Sequence, residues 1–119
     1  MPGFDPINEE MTRLNREIET LSGQLEDRRT EYEQSKHAFE LCYSGFIMSG
    51  KLENTEWTQT DVTAYAIKQS SDAKIKMIMA HGAYRKLRAE LSAKRESLDT
   101  VKEKGWNLRQ ELRRLPGSQ

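Results

Sequence analysis

The apolar residues of this chain recur at alternating steps of three and four, a pattern that rules out most folds. From Met11 the steps land on Leu14, Ile18, Leu21, Leu25, Arg28, Tyr32, Ser35, Phe39, Cys42 and Phe46. A second series runs from Thr63 through Ala66, Ser70, Ala73, Met77, Ala80, Tyr84, Leu87, Leu91, Lys94, Leu98 and Val101 to Leu115. Side chains that return about every 3.5 residues line one stripe of a helix, whereas a strand would place every second residue on one face. The sequence therefore predicts an all-α fold made of two long amphipathic helices.

Local signals set the expected boundaries. Asp5 and Pro6 suit a helix start, because a carboxylate can accept from free N–H groups and proline has no N–H to leave unpaired. The first helix is predicted over 6–48. Residues 49–58 read as the turn, where the apolar pattern lapses and Gly50 and Asn54 can end a helix. Thr58 with Asp61 three residues on is close to a capping box and opens a second helix over 59–115. Residues 116–119, beginning Pro-Gly, are expected to be a flexible tail. With a short connection between long helices, 6–115 is expected to form a single domain, a long antiparallel two-helix coiled-coil hairpin. The alternative is a small bundle broken near Gly45–Asn54 and again at Gly82.

Charge supports an antiparallel arrangement. The chain carries 19 basic and 19 acidic residues, so its formal net charge is zero. Residues 1–60 nevertheless hold 12 acidic and 6 basic residues, and 61–119 hold 7 and 13. Glu19, Glu26, Glu33 and Glu40 flank one seam, and Lys74, His81, Arg88, Arg95, Lys102 and Arg109 flank the other. These two rails are expected to face each other and to select register more than stability. Arg28, Ser35, Ser70 and Lys94 fall on the seams themselves and are expected to specify alignment, with Arg28 and Lys94 reaching out to solvent.

No motif carries catalytic chemistry. Glycine-rich phosphate loops, metal-binding His-Glu-x-x-His spacing and nucleophile elbows are missing from the sequence. Cys42 is the one cysteine, so it can form no internal disulfide, and it reads as a small seam residue. His37 and His81 read as flank residues. A non-enzyme with no cofactor and no metal is expected. No apolar run reaches the ~20 residues that span a bilayer, so a cytoplasmic protein with no membrane partner is the expectation.

What remains is apolar surface that one seam cannot hold. Segment 62–80 is apolar on several sides, and a helix of that kind requires several neighbours; 41–48 adds apolar surface near the tip and is expected in the same interface. Tyr43, Phe46, Ile47, Trp57, Tyr65, Ile67, Ile75 and Ile78 are the candidate protein interface, and a homo-oligomer that also binds another protein is expected. Trp57 is read two ways, as a binding anchor or as a ring folded back on Phe46, Tyr65 or Leu52. The basic stretch 68–95 offers a different partner. Lys68, Lys76, Arg85 and Lys86 are the cations that the charge rails leave over, and they are candidates for a phosphate backbone. The expected function is a helical protein–protein interaction or assembly (scaffold) module. The alternative is a nucleic-acid-binding accessory protein that acts on single strands.

Overall fold

The structure, a computed structural model, describes residues 5–115. The expected tail at 116–119 lies outside the described residues. Three helices follow one another: α1 (Asp5–Glu53), α2 (Gln59–Gln69) and α3 (Ser71–Arg114). The all-α class therefore holds, but the two-helix coiled-coil hairpin does not. The fold is a three-helix arrangement in which α1 packs mainly with α3 and the short α2 is a separate element.

The additional break falls at Ser70. Its backbone leaves the helical region at φ −96° and ψ 8°. Its hydroxyl donates to the Ala66 carbonyl at 2.6 Å, and its own N–H donates to the same oxygen at 3.0 Å. A serine hydroxyl that competes for the carbonyl four residues back bends the helix it sits in. The Lys74 N–H then donates to the Ser70 carbonyl at 3.0 Å and starts the next helix. On the sequence Ser70 is simply one polar seam position in an unbroken series. Gly82, where the alternative reading placed a break, lies inside α3.

The turn is also shorter than its composition suggests. α1 continues through Gly45 and Gly50, and Asn54 N–H to Gly50 carbonyl at 3.1 Å closes its last turn. Gly50 is buried because α2 lies close to it. A β-carbon there would stand 3.2 Å from Tyr65 Cδ1 and 3.5 Å from Val62 Cγ1. Glycine at this position serves close approach rather than chain termination. Trp57 N–H donates to the Asn54 carbonyl at 3.0 Å. The Thr58–Asp61 capping box is complete: the Thr58 hydroxyl accepts from Asp61 N–H at 3.2 Å, and Asp61 Oδ2 accepts from Thr58 N–H at 2.9 Å. The two Thr58 donors hold the Asp61 carboxyl below its ordinary range.

Contacts divide the chain into two compact units. The first joins the part of α1 up to Leu25 with the part of α3 from Leu87 onward. Leu14, Leu91 and Leu98 are its buried residues, all three on the seams read from the sequence. The two helices run antiparallel here, since a β-carbon at Gly105 would meet Ile7 Cγ2 at 3.4 Å and Lys94 meets Glu17. The second unit is Glu26–Lys86 and holds the rest of α1, all of α2 and the first turns of α3. Val62, Ala66 and Ser70 are buried in it. The seam thus passes through Val62, one position before Thr63, because α2 presents an i, i+4, i+8 face rather than a heptad face.

Candidate interaction surface

In the second unit an aromatic cluster closes the α1–α2 connection. Phe46 meets the Tyr65 ring edge-on with centroids 5.9 Å apart, and Trp57 covers Tyr65 at 5.3 Å. Trp57 therefore folds back on Tyr65, yet 38% of it stays exposed. Further along α1, Phe39 packs with Tyr43 at 5.9 Å, and Tyr32 packs with both His81 at 4.6 Å and Tyr84 at 6.4 Å. His81 is thus a ring contact between α1 and α3. Cys42 is a half-buried free thiol.

The candidate interface residues separate into two sets. Tyr43, Phe46, Ile47 and Tyr65 are half-buried, and all of these except Ile47 are engaged in the ring contacts above. Ile67, Ile75 and Ile78 are exposed. Leu41, Met48 and Met79, which fall in the apolar segments 41–48 and 62–80, and Leu52, which lies just outside them, are more exposed still: 62%, 64%, 69% and 77%. A signal for three of them was available. Leu41, Met48 and Leu52 are spaced i, i+7, i+11, which at about 100° per residue keeps them within roughly 40° on the helix circumference. Their stripe lies on the reverse of α1 from Phe39 and Phe46. On α3, Ile75, Ile78 and Met79 form a matching stripe on the reverse of Ala73, Met77 and Tyr84. Each stripe contains an exposed glycine, Gly45 on α1 and Gly82 on α3, and a β-carbon added at either would meet nothing within 4 Å. The intrachain packing gives no reason for these two glycines, each of which costs a helix about 1 kcal/mol relative to alanine.

The charged residues sort differently from the sequence expectation. The facing rails do not form among the described residues: Glu26 pairs with Arg29 inside α1, and Glu19, Glu33 and Glu40 reach no cation of α3 within 4.0 Å. An ion pair that joins α1 to α3 involves a seam residue instead, Lys94 Nζ to Glu17 Oε2 at 2.8 Å. Glu17 Oε2 is out of solvent, and this contact falls short of hydrogen-bond geometry. Lys94 foremost, with Arg13 adding to it at 2.7 Å, holds the Glu17 carboxyl below its ordinary range against the opposing effect of burial. Arg28, the other seam cation, pairs with Glu31 at the surface at 3.0 Å.

Lys68, Lys76, Arg85 and Lys86 are all exposed. They do not gather on one face. Lys76 and Arg85 are nine residues apart in α3, which puts them on opposite sides of the helix. Lys76 borders an open groove with Gln34, Ser35, Ala38, Asp72 and Ala73. Among the described residues no three His, Cys, Asp or Glu side chains converge as metal ligands, and no helix is long and apolar enough to cross a membrane. No protein-family model matches this chain, and no curated protein or solved structure is significantly similar to it.

Proposed function

We propose that this chain is a non-catalytic helical interaction module that assembles through its own surface. The observation that supports this reading is the pair of exposed apolar stripes on α1 and α3 within Glu26–Lys86. Scattered exposed apolar residues are normal on any protein, but contiguous ones mark interaction sites. Here exposed Leu41, Met48 and Leu52 share one face of α1, and exposed Ile75, Ile78 and Met79 lie together near the start of α3. The titrating groups support the same reading. The shifted carboxylates are Glu10, Glu17 and Asp61, each explained by a neighbouring arginine, lysine or cap donor. The grooves are open and lined by one or two helix surfaces, whereas a catalytic pocket encloses its substrate. The nucleic-acid reading lacks comparable support, because its four cations are spread around α3 and α2.

The test is the mass of the full chain in solution, measured by light scattering across a wide concentration range. A mass above one chain that rises with concentration is expected. One-chain mass up to the highest soluble concentration overturns self-assembly.

A further inference from the structure

One edge of α3 gathers cations around an exposed tryptophan. Arg88, Arg95, Lys102 and Arg109 recur once per heptad along it, and Trp106 and Arg113 fall in the same phase. At about 100° per residue these side chains lie within roughly 60° of the helix circumference, along roughly 38 Å of its length. Every one of them is exposed, Trp106 by 57%. Arg88, Arg95, Lys102 and Arg113 make no ion pair within 4.0 Å among the described residues. The α3 carboxylate nearest this arc is Asp99, at its margin.

The edge of α1 beside it is neutral. Asn8 and Met11 share a groove with Lys102, Trp106 and Arg109, and the next residues in the phase of Asn8 are Asn15 and Ser22. Glu10 and Glu17 lie on the other edge of α1, engaged with Arg13 and Lys94. Cations set beside amides and a hydroxyl are not matched by the seam, so their field is directed at an external polyanion. The groove has a volume of about 220 Å³ and is lined at a seam position by Gly105, which brings no side chain to fill it.

We propose that this edge of α3 binds single-stranded nucleic acid, with phosphates along its arginines and Lys102 and a base stacked on Trp106 at the groove. Cations alone suit any polyanion. The exposed indole between Lys102 and Arg109 selects a strand with unpaired bases, because bases within a duplex keep their faces stacked on one another. The cations that gather here are not Lys68, Lys76, Arg85 and Lys86, which point different ways. The edge belongs to the first compact unit and uses neither exposed apolar stripe, so it stands or falls separately from self-assembly. With zero net charge on the chain, attraction is confined to the edge and should fall steeply with salt.

The test is fluorescence anisotropy of a labelled oligothymidylate titrated with the full chain at several salt concentrations. Each phosphate contact on a single strand contributes about −0.7 to the slope of log affinity against log salt, so wild type should bind at roughly 20 mM salt with a slope near −3. R95Q/K102Q/R113Q should weaken binding at least tenfold and flatten the slope by about 2. W106A should weaken it roughly tenfold and leave the slope unchanged, since stacking carries no charge. K68Q/K76Q/K86Q removes the same charge elsewhere and should bind as wild type does. These positions are all exposed, so helicity by circular dichroism should be unaltered. In W57F, Trp106 is the one remaining tryptophan, and its fluorescence should be quenched by the oligonucleotide, a readout that leaves the edge intact. The proposal is overturned if wild type does not bind at roughly 20 mM salt, where screening is weak. Equal losses from the two triple variants, an unaffected W106A, or equally tight binding of a duplex of the same length overturn it too.

Discussion

Four helical glycines give a quantitative test of how the helices pack. Gly23, Gly45 and Gly82 each have open space where a β-carbon would stand, whereas Gly50 faces Tyr65 at 3.2 Å and Val62 at 3.5 Å. Replacing an exposed mid-helix glycine by alanine removes backbone entropy from the unfolded chain and should stabilise by about 1 kcal/mol. For a chain of this size that is a rise of roughly 4 °C in Tm. G23A, G45A and G82A should each show this gain at dilute concentration, and the triple variant should approach its sum because the sites do not touch. G50A receives the same propensity gain, but its methyl must move a tyrosine ring already held by Phe46 and Trp57. Overpacking of that kind costs about 1–3 kcal/mol, so the net result should be a loss of about 1 kcal/mol. Urea denaturation followed by circular dichroism reads all four against wild type. G45A and G82A carry a second signature at high concentration, where the added methyl should weaken assembly while the single chain is more stable. The reasoning fails if G50A stabilises as much as G45A, or if G82A is destabilising in dilute solution.

Three other changes probe separate links. Leu14 is buried and Leu52 largely exposed, so L14A should cost roughly 3 kcal/mol while L52A, in dilute solution, should stay within about 0.5 kcal/mol of wild type; similar losses from both would contradict the assigned packing. The lowered Glu17 pKa means the folded state binds its proton less readily than the unfolded chain. Its contribution is therefore present above the ordinary glutamate range and lost as pH falls through the lowered value, and E17Q should flatten that acid limb in a stability-against-pH titration. T58A removes the hydroxyl that caps α2 and should cost about 1 kcal/mol, with T58S restoring most of it; an unchanged urea midpoint for T58A would show that the cap is energetically idle.

What could be read from the sequence was whatever depends on near neighbours or on one helical face. The capping box needs only Thr58 and Asp61, and the buried Leu14, Leu91 and Leu98 need only the periodicity. What escaped depended on geometry that a heptad count does not carry. Ser70 fits the count, yet its backbone leaves the helical region there, which an apolar periodicity does not register. Gly50 reads as a terminator, yet the approach of Tyr65 makes it an interior residue. The charge rails were inferred from sign and phase, while reach decides whether a pair forms; Lys94 reaches Glu17 because it begins at the seam. On the candidate surface, Ile67, Ile75 and Ile78 were found by counting apolar residues beyond one seam. Segment 41–48 likewise contains Leu41 and Met48, whereas Leu52 falls in the stretch that reads as a turn and joins their face only because α1 continues to Glu53.

The joint at Ser70 has a consequence for how the chain opens. α2 is eleven residues long, below the ~12–15 residues at which an isolated helix becomes even marginally stable in water. It persists because Thr58 caps one end, Ser70 holds the other, and Val62 and Ala66 are buried between them. Those supports are few beside the long seams of α1 and α3, so α2 forms a low-stability cooperative unit. Its amides should exchange with solvent through local opening, at a free energy well below that of global unfolding. Each such opening lifts Tyr65 from Gly50 and exposes the last turns of α1, so amides near Gly50 should exchange in step with those of α2.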